Sequence, residues 1–98
     1  YCIGGGNEIR NIDLVRKLCD LVDIEYIKND KGAGYKPSSN LIRLISDRPG
    51  HDRRYAINFS KIKSELSWEP KTDIEKGLKK TIKWYLNNKF WWEPLLIN

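Results

Sequence analysis

The chain has 98 residues, 40% of them hydrophobic and 32% charged, and 18 Lys and Arg against 13 Asp and Glu give a formal net charge of +5. That length allows one small domain with a modest core and excludes two, and no apolar run approaches the roughly 18 to 20 residues a membrane span requires. Two cysteines and one histidine are too few for a disulfide framework or a structural zinc site, so no metal is expected and a reducing, cytoplasmic setting is.

Tyr1 to Gly4 reads as the end of a short strand running into a turn at Gly4-Gly5-Gly6. Asn11 has the chemistry of a helix N-cap. Ile12, Val15, Leu18, Cys19 and Val22 then recur at three- and four-residue spacing, which predicts an amphipathic helix over 11–22. Asp20 and Asp23, three apart on that helix, read as solvated carboxylates.

Residues 29–40 hold two glycines, a proline, two serines and two asparagines without apolar periodicity, and predict a loop. The branched run at 41–45 predicts a short strand. A polar turn over 47–54, punctuated by Pro49-Gly50, separates it from a second extended segment at 55–57.

Asn58 is placed to cap a second helix over 59–66, with Phe59, Ile62 and Leu66 on its buried side; Pro70 ends it, because the residue before a proline is driven from helical angles. Thr72 and Glu75 have the spacing of a capping box. They open a third helix running to residue 87, with Ile74, Leu78, Thr81, Ile82 and Tyr85 as its stripe and Lys79, Lys80 and Lys83 where the helix dipole favours cations. Together these elements predict an α/β fold class, as a small α+β-like piece of three helices and two or three short strands.

The glycine cluster is not a dinucleotide loop. Neither G-x-G-x-x-G nor G-x-x-x-x-G-K-[ST] occurs, and five residues separate Gly6 from Ile12. The 47–57 segment is more informative. Arg48, His51, Arg53 and Arg54 flank a rigid turn, which presents several donors from one stretch of backbone, as an anionic ligand needs; the arginine fork suits phosphate oxygens. On spacing alone, a charged surface loop with a hydrogen-bonded histidine is the plainer reading.

No serine or cysteine is set beside a histidine as a nucleophile, so no catalytic residue is assigned. The lysines of the third helix, with Trp84, Trp91 and Trp92, could form a basic stacking surface. However, Trp84 and Tyr85 adjoin the core stripe, and three aromatics at 90–92 left in water would make a large apolar patch. They are expected to pack on a neighbour, and no nucleic acid or membrane partner is expected.

Four stretches, in order, carry a resemblance. Tyr1-Cys2-Ile3-Gly4-Gly5-Gly6-Asn7-Glu8 with Asn11 is similar to the Y-N-I-G-G-x-N-E-x-x-N segment of the dTDP-glucose 4,6-dehydratases, and D-R-P-G-H-D-R-R-Y-A-I at 47–57 resembles their most specific motif. The residues from Lys61 to Pro70 resemble K-I-x-x-E-L-G-W-x-P, and those from Gly77 to Trp92 resemble G-L-x-x-T-I-x-W-Y-L…W-W. Cys2 and Ser67 depart from the family's usual Asn and Gly, and the 29–40 loop is longer than in familiar members.

The resemblance implies an extended short-chain dehydrogenase/reductase, homodimeric when whole. An N-terminal Rossmann domain would hold NAD and a Tyr-x-x-x-Lys pair, and a smaller C-terminal domain would close over the nucleotide sugar. The implied lyase reaction, within deoxysugar biosynthesis (the dTDP-rhamnose route included), oxidises sugar C4 with NAD⁺, removes water across C5 and C6, and returns hydride to C6. The product would be dTDP-4-keto-6-deoxyglucose.

Residues 1–98 would then be the C-terminal substrate-binding domain without its Rossmann partner. The lack of any Met, at position 1 included, agrees with the interior of a longer chain. Such a piece is expected to be inactive alone and to bind no NAD. Its implied substrate contacts are Asn11, Arg48 and His51, walled by Asp47, Pro49 and Gly50. Two alternatives stay open: the same domain from a related sugar-nucleotide epimerase or dehydratase, and a stand-alone basic binding module.

Overall fold

The chain enters its first helix directly from a strand. In the computed structural model, which describes residues 1–28 and 36–96, Ile9–Arg10 (β1) pairs antiparallel with Arg54–Tyr55 (β2), Ile9 opposite Tyr55 and Arg10 opposite Arg54. Helix α1 (Asn11–Lys28) follows without a break. The Asn11 N–H donates to the Arg53 carbonyl at 3.2 Å, so the ladder extends one step into the helix and satisfies a donor that a helix start leaves orphaned. Asn11 is therefore the first helical residue, not a side-chain cap. Among the described residues its side chain makes no hydrogen bond.

Helix α1 runs six residues past the predicted end at Val22. Nothing between Asp23 and Lys28 breaks a helix, and Lys28 sits favourably in the last turn, 3.7 Å from Glu25. Asp23 overturns the solvated reading. It is buried, and its carboxylate accepts from the Ser38 N–H at 3.1 and 3.2 Å and from the Ser38 hydroxyl. This ties α1 to a 3₁₀ turn at Ser38–Leu41; the remainder of the expected 29–40 loop, 29–35, lies outside the described residues.

Two expected strands do not form. Tyr1 to Gly4 makes no ladder, yet it lies so close to Ile57 that a Cβ on Gly4 would stand 2.8 Å from the Ile57 Cβ. The run at 41–45 is spent partly in the 3₁₀ turn and continues with no ladder partner among the described residues, with Leu44 and Ile45 exposed. Branched residues favour a strand only where a neighbour supplies the other half of the ladder.

Helix α2 (Ser60–Leu66) begins one residue later than expected, with Asn58 Oδ1 accepting from the Ser60 N–H at 2.9 Å. Ile62 is buried, but Leu66 is exposed. The chain leaves α2 through Ser67 in the left-handed region, φ 54, and turns so that Trp68, not Leu66, meets Phe59 edge-on at 6.2 Å.

Helix α3 (Ile74–Asn87) is capped by Asp73, not by Thr72: its carboxylate accepts from the Lys76 N–H at 2.8 Å. Aspartate at this position also complements the dipole, and it displaces the expected capping box by one residue. The stripe is narrower than predicted, with Ile82 buried but Thr81 and Tyr85 exposed; the Thr81 hydroxyl instead donates to the Gly77 carbonyl at 2.9 Å.

Asn88 closes α3, donating from its side chain to the Trp84 carbonyl at 2.7 Å. Its own carbonyl accepts from the Trp91 N–H at 2.9 Å, opening a fourth helix, α4 (Lys89–Trp92), which the sequence does not foreshadow. The aromatic tail folds back on the end of α3. Trp91 meets Trp84 at 5.3 Å, and Trp92 donates through Nε1 to the Tyr85 carbonyl at 2.8 Å. A second 3₁₀ turn, Glu93–Leu96, follows.

The fold class holds, with four helices and one two-stranded ladder among the described residues. Helix α1 lies against α3 and against the Ser38–Leu41 turn. Among the described residues, the buried apolar side chains are one from each longer helix: Leu21 of α1, Ile62 of α2 and Ile82 of α3. None of the described helices is long and apolar enough to cross a membrane.

Three substitutions test these local assignments by denaturant melts of the full-length protein. Asp73→Ala is expected to lower stability by about 1 kcal/mol, the usual effect of losing an N-cap, while Thr72→Ala leaves the midpoint nearly unmoved; the reverse order restores the capping box. Ser67→Gly is expected to raise stability by roughly 0.5 to 1 kcal/mol, the left-handed strain relieved less the entropy glycine loses on folding. A destabilised Ser67→Gly protein would show that φ is not the constraint there.

Candidate functional site

The ladder that starts α1 also folds the 47–54 turn against it. Arg10, Asn11 and Ile12 on one side, and Asp47, His51, Asp52 and Arg53 on the other, line an open cavity of about 380 Å³. Two stretches some forty residues apart in sequence thus face one space, because β1 and β2 hold them in register.

Inside the turn, Asp47 is the organiser. Its Oδ1 accepts from the Arg48 N–H at 2.8 Å and lies 2.6 Å from His51 Nδ1. The hydrogen bond from His51 is the main reason the Asp47 carboxyl sits below the ordinary aspartate range, and the Arg48 N–H adds to it. With Nδ1 engaged, Nε2 is the His51 ring nitrogen left for a ligand. Pro49 and Gly50 take the two central positions, and Gly50 has φ 72, the region a type II turn requires at its third residue. A Cβ at Gly50 would meet nothing within 4 Å, so glycine is needed there for conformation, not for space.

Of the six residues expected to contact substrate, Asn11, Asp47 and His51 share the cavity, while Arg48, Pro49 and Gly50 do not line it. Arg48 is exposed. The cavity instead gains Arg10, Ile12, Asp52 and Arg53. Arg53 is one of the donors that the 47–57 segment offers in the sequence, whereas the signal of Arg10, Ile12 and Asp52 is too short to read: a two-residue ladder offers no alternation.

The cations here divide into two kinds. Arg10 is held by Asp13, Nε to Oδ2 at 2.7 Å, which raises its basicity further, and Arg54 lies 3.5 Å from Glu8. Arg48 and Arg53 form no ion pair among the described residues. They are the ones free to meet an anion.

The glycine turn has a separate hollow of about 200 Å³, lined by Gly4, Gly5, Gly6, Asn7, Glu8, Tyr55 and Ile57. It is unsuited to a pyrophosphate. The chain continues from it into β1, not into a helix N-terminus, and the Glu8 carboxylate forms part of the wall. This hollow therefore does not fit the pyrophosphate of a dinucleotide. Nor do the described residues include any group of three or more His, Cys, Asp or Glu able to hold a metal ion.

Comparison with known proteins bears on all of this. Residues 1–81 match the family model described as GDP-mannose 4,6 dehydratase. The chain is 53% identical over 96 residues to a dTDP-glucose 4,6-dehydratase of Escherichia coli, covering 98% of this chain and 26% of that one. It is 46% identical over 96 residues to that of Neisseria meningitidis serogroup B, with the same coverage. Its structure resembles the crystal structure of dTDP-glucose 4,6-dehydratase from Bacillus anthracis in complex with NAD, with a TM-score of 0.69 and 41% identity over 95% of this chain and 25% of that one. The chain thus spans about a quarter of the length of the relatives it matches. It belongs to the GDP-mannose 4,6 dehydratase family and is homologous, over nearly its whole length, to part of the dTDP-glucose 4,6-dehydratases.

Proposed function

We propose that this chain is the nucleotide-sugar-binding, C-terminal portion of a dTDP-glucose 4,6-dehydratase. The observation that carries the reading is the shared cavity: Asn11 at the start of α1 faces Asp47 and His51 across one space, with Arg48 and Arg53, which form no ion pair among the described residues, on the same turn. A nucleotide sugar needs neutral hydrogen-bonding groups for its hydroxyls and cations for its diphosphate. Asn11 and His51 Nε2 offer the first, and Arg48 and Arg53 the second.

Asp47 acts on the turn, not on the ligand. It fixes the His51 ring through Nδ1 and the entry to the Pro49-Gly50 corner through the Arg48 N–H, so the donors are placed before a ligand arrives. Such preorganisation lowers the entropy lost on binding. NAD, present in the Bacillus anthracis relative, would be held elsewhere in the full-length enzyme, and the redox steps with it. The residues of this chain bind and orient.

Isothermal titration of the full-length enzyme with dTDP-glucose checks the reading. Arg48→Ala should weaken binding by about 2 to 4 kcal/mol, as for truncation of a charged contact, without loss of NAD. Unchanged affinity would remove Arg48 from the site, and tight binding of GDP-mannose in place of dTDP-glucose would move the chain to a related sugar-nucleotide enzyme.

The Asp47–His51 bond has its own pH signature. Because the folded pKa of Asp47 lies below its unfolded value, the turn's stabilisation is present above the ordinary aspartate range and is lost as pH falls through the depressed value. Carboxyl NMR titration should place Asp47 below a normal aspartate, and His51→Ala should return it upward. A midpoint unmoved by His51→Ala would show that the histidine does not organise the turn.

A further inference from the structure

One cation in the cavity wall differs from the others. Arg10 is held at the junction of β1 and α1, where its Nε donates to Asp13 Oδ2 at 2.7 Å and its Nη2 to Asp13 Oδ1 at 3.4 Å. Asp13 stands in the first turn of α1, where the helix dipole favours a carboxylate. The two side chains are 60% and 39% exposed, so the pair adds little to folding stability. Its effect is to fix a long side chain that would otherwise sample many rotamers.

Asp13 does not line the cavity; it borders a hollow between α1 and the start of α3, with Arg16, Lys17 and Glu75. The guanidinium thus has one edge on Asp13 while Arg10 lines the cavity, and its Nη1 makes no hydrogen bond among the described residues. A phosphate brought to Arg10 would meet the Asp13 charge as well, and the attraction would largely cancel. Asp52 lines the same cavity with a carboxylate that forms no ion pair or hydrogen bond among the described residues. Arg10, Asp13 and Asp52 therefore place a donor and an acceptor in the wall without net positive charge. That combination suits an uncharged group carrying a carbonyl or hydroxyl oxygen and an N–H or O–H, and it is unsuited to a diphosphate.

We propose that Arg10 and Asp52 bind an uncharged polar part of the nucleotide sugar, with Asp13 as the residue that positions Arg10. This deepens the nucleotide-sugar reading and rests on it. The diphosphate is left to Arg48 and Arg53, so the wall sorts the charged part of the ligand from the uncharged part. The edge of a nucleobase and the hydroxyls of a hexose share the required chemistry. Because Asp13 holds Arg10 before a ligand arrives, less side-chain entropy is lost on binding.

Isothermal titration of the full-length enzyme with dTDP-glucose, dTDP and pyrophosphate, at low and high salt, tests the assignment. Arg10→Ala is expected to weaken dTDP-glucose binding roughly 10-fold or more, by the same factor at both salt concentrations, and to leave pyrophosphate binding unchanged. The loss caused by Arg48→Ala, in contrast, should shrink as salt screens the phosphate. An Arg10→Ala loss shared by dTDP assigns the contact to the nucleoside, and one confined to dTDP-glucose assigns it to the hexose; both support the proposal. Unchanged affinity overturns it, as does a loss that fades with salt or extends to pyrophosphate, which would make Arg10 a phosphate contact. Asp13→Asn should weaken binding several-fold in the wild type and not at all in the Arg10→Ala background; equal losses in both backgrounds would remove its positioning role. Should Arg10→Ala fail to fold, Arg10→Lys, which keeps the charge without the planar fork, gives the same comparison. A wild-type enzyme that does not bind dTDP-glucose refutes the proposed function and this inference together, whereas wild-type binding indifferent to Arg10 refutes this inference alone.

Discussion

The bond from the Asn11 N–H to the Arg53 carbonyl is the contact on which the arrangement depends. It continues the β1–β2 ladder into the first turn of α1, so one short antiparallel pairing both starts the longest helix and fixes the polar turn beside it. A helix start leaves several N–H groups without partners. Using one of them to hold a distant strand leaves the Asn11 side chain uncommitted, which is the condition for its proposed role at the cavity.

Away from that junction the chain buries little. Only Leu21, Ile62 and Ile82 are buried apolar side chains among the described residues, and the radius of gyration is 17.0 Å where about 13 Å is usual for a globular domain of this length. Polar contacts do part of the joining instead. Asp23 holds the Ser38 turn to α1, Asn88 links α3 to α4, and Trp92 returns to the Tyr85 carbonyl. A buried carboxylate such as Asp23 is tolerable because a backbone N–H and a hydroxyl from one residue meet it. The aromatic tail shows the same economy: Trp84, Tyr85, Trp91 and Trp92 pack on one another, while Phe90 stays 76% exposed.

Errors in reading the sequence share one physical origin. Periodicity reports what a segment can do with a partner, not whether a partner is present. Leu44 and Ile45 read as a strand and join no ladder among the described residues; Leu66 reads as core and is displaced by Trp68, which reaches Phe59 once Ser67 turns the chain. Thr72 and Glu75 have the spacing of a capping box, yet the adjacent Asp73 takes the cap because its carboxylate reaches the Lys76 N–H. Asp23 reads as solvated because nothing local reveals Ser38 fifteen residues away.

What the sequence determined by itself is chemistry that is local or covalent. The helical stripes of α1 and α3, the Pro49-Gly50 corner with its donors, and the motif from Asp47 to Ile57 are all legible because each depends on neighbours a few residues apart. Tertiary structure alone decided which of those groups meet. It brought Asn11 to Asp47 and His51, left Arg48 out of the cavity lining, added Arg10, Asp52 and Arg53 to it, and engaged Arg10 and Arg54 with acids. The reason is the size of the device responsible. Two residues on each strand are too few to leave a periodic trace in the sequence, yet enough to set the register between distant parts of the chain.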